Sequence, residues 1–309
     1  MARHWSPSDI PDLSGRTAVV TGANSGLGKE TARELARRGA RVTMACRSRE
    51  RAEAARAEIE ADVPIARLDV EILDLASLDS VRDVAERFAS EHDRLDLLVL
   101  NAGVMAIPRS ETDDGFETQF GVNVLGHFAL AGRLLPLLTA TAGSRTVWLS
   151  SLAAWNGRIR FDDLQGRRSY SRWRAYNQTK LACLMLGMEA NRRLQDAGEA
   201  SVSLAAHPGL SDTSLQTTSV EQSGSKVEGA LYDVFMDRVA QSAAAGAEPQ
   251  LRAAADPLAR GGAFYGPKYY MRGPAVEVNP PRSALDGHAR ARLWSACERL
   301  TGVSWLSEA

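Results

Sequence analysis

The sequence TGANSGLG at residues 21–28 decides the fold, because it joins an apolar run at 17–21 to a helical pattern that reaches about residue 38. In this arrangement Gly22 permits a tight turn, Gly26 lets the backbone approach a diphosphate, and Gly28 lets the helix pack closely on the strand. The helix N-terminus offers free N–H groups and the positive end of its dipole to an anion. Since the motif lies between a strand and a helix, it predicts a dinucleotide-binding βα unit.

Short apolar runs and helical patterns alternate along most of the remaining chain. Further strands are predicted at 41–45, 66–73, 95–100, 146–150 and 202–206, with helices at 49–59, from 77 onward, 115–138 and 173–195. Such βα repeats with nearly continuous apolar strands form a parallel sheet covered by helices on both faces. The sequence therefore predicts an α/β fold, a doubly wound Rossmann-type parallel sheet of about seven strands flanked by helices.

The sequence contains no linker, internal repeat or low-complexity tract that marks a domain boundary. Residues 1–309 are therefore predicted to form a single NAD(P)-binding domain, with 1–14 as an N-terminal extension. One segment interrupts the alternation, since residues 211–249 are rich in Ser, Thr, Gln, Gly and Ala. An insertion of this kind is usually an active-site lid or a disordered excursion, and we predict a substrate lid.

Bulk composition excludes several classes of protein. The formal net charge is −1, so there is no basic field to attract nucleic acid or an anionic membrane. No stretch approaches the roughly 20 apolar residues that span a bilayer, and we expect no membrane association. Cys46, Cys183 and Cys297 are far apart and lack the spacing of metal ligands. We therefore expect a cytoplasmic protein without disulfides or a bound metal.

The residue after the second predicted strand indicates which dinucleotide is bound. A site for NAD commonly places Asp or Glu there, to accept hydrogen bonds from the ribose hydroxyls. Here Arg47 and Ser48 follow the strand, and a guanidinium suits a 2′-phosphate. Arg47 therefore predicts a preference for NADP(H), with NAD(H) as the alternative cofactor. A solvated arginine at a strand end is the other interpretation of this residue.

A second group of residues could move a proton. Tyr176 and Lys180, in the sequence YNQTK, are four positions apart in a helical pattern and so share one helix face. An ammonium group near a phenol favours the phenolate form, which makes Tyr176 a credible general acid and base. Ser150 and Ser151 end a predicted strand, where a hydroxyl could donate a hydrogen bond to a substrate oxygen. Taken alone, each of these patterns also occurs for structural reasons.

The motifs occur together, and together they are specific. TGANSGLG, LNAG (100–103), NVLGHF (123–128), the serine pair, YNQTK and HPG (207–209) follow one another in the order known from one family. The chain therefore resembles the short-chain dehydrogenase/reductase superfamily over nearly its full length. The sequence ACR (45–47) and the gap of 25 positions from Ser151 to Tyr176 resemble its branch of retinol dehydrogenase, WW-domain oxidoreductase and protochlorophyllide reductase.

The resemblance implies a catalytic tetrad of Asn123, Ser151, Tyr176 and Lys180. In the family, the residue matched by Ser151 orients the substrate oxygen and the residue matched by Tyr176 transfers a proton. Lys180 would bind the nicotinamide ribose and acidify Tyr176, and Asn123 would hold a water in a proton relay. The resemblance also implies the following cofactor-binding residues: Gly22, Asn24, Ser25, Gly26, Leu27, Gly28, Arg47, Asp74, Leu75, Asn101, Ala102, Gly103, Tyr176, Lys180, Pro208, Gly209 and Thr213.

These patterns lead us to expect an NADP(H)-dependent oxidoreductase that acts on a small hydrophobic ketone, aldehyde or matching alcohol. The alternatives are a C=C reductase on the same scaffold and a non-catalytic NADP-binding sensor or scaffold protein. Relatives often pair through the helices that carry Asn123 and Tyr176, so a homodimer is expected. His127 is interpreted as a packing or hydrogen-bonding residue, and Met105 belongs either to an apolar pocket or to the core.

Overall fold

A computed structural model describes residues 4–211 and 241–306, and in it eight strands form one sheet. The strands are β1 (Thr17–Thr21), β2 (Arg41–Cys46), β3 (Arg67–Ile72), β4 (Leu97–Leu100), β5 (Arg145–Leu149), β6 (Val202–Ala206), β7 (Phe264–Pro267) and β8 (Ala275–Glu277). Their order is β3-β2-β1-β4-β5-β6-β7-β8, and all neighbours are parallel except β7 and β8. The predicted α/β parallel sheet is confirmed.

Helices connect the strands and cover the sheet. They are α1 (Gly26–Arg37), α2 (Arg49–Asp62), α3 (Leu78–Glu91), α4 (Thr118–Phe120), α5 (His127–Arg133), α6 (Leu135–Ala140), α7 (Arg172–Asp196), α8 (Ala243–Ala255) and α9 (Gly287–Thr301). A π-helical turn, Gly121–Gly126, joins α4 to α5. Short 3₁₀ turns occur at Pro7–Asp9, Leu152–Asn156 and Arg282–Leu285. The long helix expected at 115–138 is thus divided, and a π turn of this kind is frequent at functional sites.

The sheet is buried on both faces, as its apolar strands predict. Successive strand residues point to opposite faces, so Val19 joins one hydrophobic cluster while Ala18 and Val20 join the other. Each fully buried Val or Leu side chain contributes about 1.5–3 kcal/mol through removal from water. Only the first six strands were located from the sequence, whereas β7 and β8 have four and three residues and were not placed. β8 pairs antiparallel with β7 at the sheet edge, so the sheet has eight strands rather than about seven.

The last helix, α9, covers α5 and α7. Trp294 and Trp305 belong to the same hydrophobic cluster as the inner faces of those helices, and the Trp305 indole donates a hydrogen bond to the Phe128 carbonyl at 3.1 Å. The Trp294 ring meets Phe128 edge-on, with 4.9 Å between the ring centroids. Residues 127–132 of α5 are all buried. The predicted homodimer stays a prediction, and the faces occupied by α9 are not available to it.

The structure describes parts of the expected N-terminal extension and of the expected lid. Within the expected N-terminal extension 1–14, Ile10 and Leu13 are buried against the second hydrophobic cluster. Most of the expected lid, residues 212–240, lies outside the described residues, and so does Thr213. The described ends of the lid segment meet each other, since Ser211 and Gln241 form an isolated bridge. Residues 243–249 begin α8, which packs on α1.

Candidate active site

A cleft of about 400 Å³ opens at the carboxyl ends of β1, β2 and β4, where parallel sheets of this type bind ligands. Its lining includes twelve of the residues predicted to bind the cofactor. They are Gly22, Asn24, Ser25, Gly26, Leu27, Gly28, Arg47, Asp74, Leu75, Asn101, Ala102 and Gly103. Segments far apart in the sequence therefore meet in one concave surface, as a dinucleotide site requires.

The glycine-rich turn has the geometry that its sequence predicts. Gly22 and Gly26 have φ of 67° and 53°, in the left-handed region that other residues rarely adopt. A Cβ at Gly28 would collide with the Gly22 carbonyl oxygen and lie 2.5 Å from the side-chain nitrogen of Asn101. The Asn101 amide in turn donates to the Thr21 carbonyl at 2.8 Å. The Gly22 carbonyl and the Asn101 side chain therefore leave no room for a side chain at position 28.

Positive charge lies at the end of the cleft formed by β2. Arg47 and Arg51 both line it and both are exposed, and neither forms an ion pair with another residue that the structure describes. Burial raises the pKa of the neighbouring Cys46 thiol to about 11, so this residue adds no negative charge there. Arg51 was missed by the sequence analysis. Its signal was its place on the first turn of α2, four positions after Arg47.

The tyrosine and lysine of the predicted tetrad lie side by side on α7. Both are buried, and the Lys180 ammonium is 5.8 Å from the centroid of the Tyr176 ring. Lys180 donates to the Leu149 carbonyl at 3.0 Å. A Cβ at Gly103 would lie 3.6 Å from the Lys180 nitrogen and 3.1 Å from Asn123 Oδ1. Gly103 therefore brings the cleft next to the tetrad, although the tetrad residues themselves do not line it.

The two serines at the end of β5 differ in their hydrogen bonds. Ser150 is buried and donates to the Lys180 carbonyl at 2.7 Å, so its hydroxyl proton is used inside the protein. Ser151 is partly exposed, and its hydroxyl accepts from the Ala153 N–H at 3.2 Å at the start of a 3₁₀ turn. An accepting hydroxyl keeps its own proton available to donate. This geometry favours Ser151 as the substrate-facing hydroxyl.

Asn123 lies in the π-helical turn and bonds with both its side chain and its carbonyl. Its side-chain amide forms two hydrogen bonds with the Val104 backbone, accepting from the N–H at 2.8 Å and donating to the carbonyl at 2.9 Å. Its own carbonyl oxygen lies 3.1 Å from His127 Nδ1 and accepts from the Cys183 thiol at 3.2 Å. A relay water at Asn123, as the resemblance implies, would have to share this carbonyl with two protein donors.

His127 connects the two ends of the cleft. Its Nε2 is 2.9 Å from the Thr21 hydroxyl, which accepts from the backbone N–H groups of Asn101 and Ala102. Burial lowers the pKa of His127 to about 4, so the ring is neutral. Because the Asn123 carbonyl can only accept, Nδ1 carries the ring proton. The expected packing or hydrogen-bonding role describes this residue.

Some residues that were predicted to bind the cofactor do not line the cleft, and some residues that line it were not predicted. Pro208 and Gly209 do not line the cleft, and Leu210 beside them donates to the Met271 carbonyl at 2.8 Å. Four lining residues that follow β4 or belong to the divided helix were not predicted: Val104, Ile107, Thr118 and Val122. No local motif marks them, because they reach the cleft only through the fold. Met105, left undecided between pocket and core, also lines the cleft.

The part of the chain that the structure describes comprises residues 4–211 and 241–306. No group of three or more His, Cys, Asp or Glu side chains is arranged there to hold a metal ion. None of the helices in this part of the chain combines the length and the apolar character needed to cross a membrane.

Comparison with known proteins places this site in a family. The model of the short chain dehydrogenase family matches residues 16–224. Retinol dehydrogenase 12 of Mus musculus is 40% identical over 293 residues, which is 95% of this chain and 88% of the relative. A crystal structure from Mycobacterium paratuberculosis shares 42% identity with a TM-score of 0.81, covering 98% of this chain and 100% of that one. A short chain dehydrogenase from Burkholderia cenocepacia J2315, crystallised with NADP, shares 25% identity with a TM-score of 0.64, covering 82% and 97%.

The glycine-rich βα unit, the tyrosine–lysine pair beside the cleft and the matching family model agree with one another. The predicted resemblance to the family, and to its retinol dehydrogenase branch, is confirmed. The chain is an oxidoreductase of the short-chain dehydrogenase family.

Proposed function

We propose that this protein transfers a hydride between NADP(H) and a hydrophobic ketone, aldehyde or matching alcohol. The observation that carries the proposal is the cleft, with Arg47 and Arg51 at one end and Gly103 beside Asn123 and Lys180 at the other. A charged end and a proton-transfer end on one surface suit a phosphorylated dinucleotide with a reactive head. A cytoplasmic location, inferred from the cysteines, stays a prediction.

The lining fits a nicotinamide dinucleotide in three respects. The Gly22 and Gly28 turn leaves no space for side chains and so lets a diphosphate approach the backbone. Arg47 and Arg51 supply two guanidiniums for a 2′-phosphate, which supports NADP(H) over NAD(H). Gly103 keeps open the space in front of Asn123 and Lys180. The NADP bound to the Burkholderia cenocepacia relative supports the same cofactor.

The proposed mechanism divides the work among the tetrad. A bound nicotinamide supplies or accepts the hydride. Tyr176 donates a proton to the substrate oxygen during reduction and removes it during oxidation. Ser151 donates a hydrogen bond to that oxygen as negative charge develops there. The Lys180 ammonium stabilises the phenolate of Tyr176, and Asn123 holds the water that returns the proton from solvent.

The chemistry of the lining supports an apolar substrate. Beyond Gly103 the cleft is bounded by Met105, Ile107, Val122 and Leu149, which offer hydrocarbon or thioether surface. Retinol, the alcohol in the name of a 40% identical relative, is itself a largely hydrocarbon molecule. Burial of such a substrate would contribute through the hydrophobic effect, whereas orientation would come from the hydroxyls of Ser151 and Tyr176.

The proposal is tested by following consumption of NADPH and NADH by the purified protein with a panel of hydrophobic aldehydes, ketones and quinones. Alcohol oxidation with NADP⁺ is measured in parallel. We expect turnover with NADPH that exceeds turnover with NADH, and that increases with the apolar size of the substrate. Tight NADPH binding without turnover of any carbonyl or alcohol would contradict the proposal and favour C=C reduction or a sensing role.

A further inference from the structure

Residues 104–107, which we call the lining segment, continue the cleft beyond Gly103. Met105 and Ile107 face the cleft, whereas Ala106 between them is fully buried. The segment follows β4, whose neighbour on the side away from the arginines is β5. The lining segment therefore bounds the part of the cleft in which the proposed apolar substrate would lie.

The backbone of the lining segment is held in a strained conformation. Ala106 has φ of 50°, in the left-handed region that a non-glycine residue rarely adopts and that persists only where surroundings enforce it. Gln119 Oε1 accepts from the Ala106 N–H at 2.7 Å. Asn123, four residues later on the same helical segment, holds Val104 on both sides. Two side chains thus fix the first three residues of the segment.

Tyr170 holds the last residue of the lining segment. Its hydroxyl proton lies between two acceptors, the Ile107 carbonyl at 2.9 Å and Glu117 Oε1 at 3.2 Å. The phenol oxygen also accepts from Gln119 Nε2 at 2.8 Å. Glu117 is itself fixed, because its carboxylate accepts from the backbone N–H of Phe120 at 2.8 Å. We call Glu117, Gln119 and Tyr170 the cradle.

The cradle also contacts the helix that carries the proton-transfer pair. The second proton of Gln119 Nε2 is donated to the carbonyl of Arg172 at 3.0 Å. Arg172 begins α7, four residues before Tyr176. The width between the lining segment and the start of the catalytic helix is therefore set by hydrogen bonds through one glutamine and one phenol.

We propose that the cradle is a positioning device for substrate recognition: Tyr170 and Gln119 hold Met105 and Ile107 at the distance from Tyr176 that fits a bulky apolar aldehyde. The proposal rests on the proposed function. Tyr170 does not line the cleft itself and reaches it through its hydrogen bond to the Ile107 carbonyl, so it acts through the segment that it holds. A bulky substrate would use both apolar side chains of the segment, whereas a short one would reach neither.

Kinetics of Tyr170→Phe test this role, with Tyr265→Phe as the matched control. Tyr265 is a buried tyrosine of β7 whose hydroxyl accepts from the Arg260 N–H, outside the cleft. For a bulky cyclic aldehyde we expect Tyr170→Phe to raise KM about five- to tenfold while kcat changes less than about twofold. For propanal neither constant should change by more than about twofold. Equal losses on both substrates would overturn the proposal.

Amide hydrogen exchange tests the same idea without turnover. The exchange of the Ala106 amide should become about tenfold faster in Tyr170→Phe and stay unchanged in Tyr265→Phe. Unchanged exchange of the Ala106 amide in Tyr170→Phe would overturn the proposed role of the cradle, even if the kinetic constants change. If the wild-type protein reduces no carbonyl, the proposed function fails by itself, and exchange still decides whether Tyr170 holds the segment.

A double-mutant cycle identifies the group through which Tyr170 acts. Met105→Ala removes a lining side chain and should also raise KM for the bulky aldehyde. If Tyr170 works by placing Met105, the effects of Tyr170→Phe and Met105→Ala on KM should be less than additive. Full additivity, with both variants folded, would show that Tyr170 acts independently of the lining segment and would overturn the proposal.

Discussion

The nucleotide end of the cleft is made largely of backbone, whereas the catalytic end is made of buried side chains. At the nucleotide end, residues 21–28 form a continuous turn, and the charged groups beside it, Arg47 and Arg51, are exposed. At the catalytic end, side chains of the divided helix and of α7 are fixed by hydrogen bonds, Asn123 and Gln119 to the lining segment and Lys180 to the Leu149 carbonyl. The nucleotide end therefore depends on the absence of side chains at its glycines. The catalytic end depends instead on hydrogen bonds made by its side chains.

This difference makes glycine the most sensitive residue type at the nucleotide end. Gly28→Ala should weaken NADPH binding by about a hundredfold, because its Cβ would collide with the Gly22 carbonyl and displace the turn. The Kd is measured by fluorescence titration. Gly287→Ala is the control, since a Cβ there meets nothing closer than the Arg290 guanidinium at 3.8 Å. Equal Kd values in Gly28→Ala and the wild type would break the contrast between the two ends.

Charge should decide the choice of cofactor at the same end. Replacing both Arg47 and Arg51 by alanine should weaken NADPH binding about ten- to thirtyfold and leave NADH binding within about twofold. The reason is that only NADPH carries the 2′-phosphate that the guanidiniums would bind. Arg49→Ala is the matched control, an exposed arginine of the same helix that does not line the cleft. A parallel loss of NADH affinity would mean that the arginines support the fold rather than the phosphate.

His127, which lies between the two ends of the cleft, should make the free energy of unfolding weakly dependent on pH. The folded pKa of His127, about 4, is below its unfolded value of 6.5, so the unfolded chain binds more protons in this range. The stabilising contribution is therefore complete above pH 6.5 and is lost as pH falls toward 4. We expect His127 to account for a loss of about 1 kcal/mol of unfolding free energy between pH 7 and pH 5.5.

Urea unfolding of His127→Phe at the two pH values checks this expectation. The variant should be less stable than the wild type at pH 7, because Thr21 and Asn123 lose a partner, but its decline toward pH 5.5 should be smaller. His288→Ala, which removes an exposed histidine of α9, serves as the control. An identical decline in His127→Phe and the wild type would mean that His127 does not titrate in this way.

The same contrast explains how much the sequence predicted. The turn at 21–28, Arg47 and the tyrosine–lysine pair follow from local spacing, and so do the parallel strands. The lining segment and the cradle come together only through the fold, and no short pattern identifies them. Arg51 was missed although its position, four residues after Arg47, was a local signal. The three-residue β8 lacks periodicity, and the covering of α5 and α7 by α9 depends on packing between distant apolar faces.

The central claim is that one end of the cleft binds NADP(H) while Tyr176 at the other end transfers the proton. Its most direct test measures the Kd for NADPH and kcat for the carbonyl substrate in the wild type and in Tyr176→Phe. We predict a loss in kcat of at least about a hundredfold with a Kd unchanged within about twofold. Near-normal turnover in Tyr176→Phe would contradict the account. A loss of turnover that is explained by a loss of NADPH binding would contradict it as well.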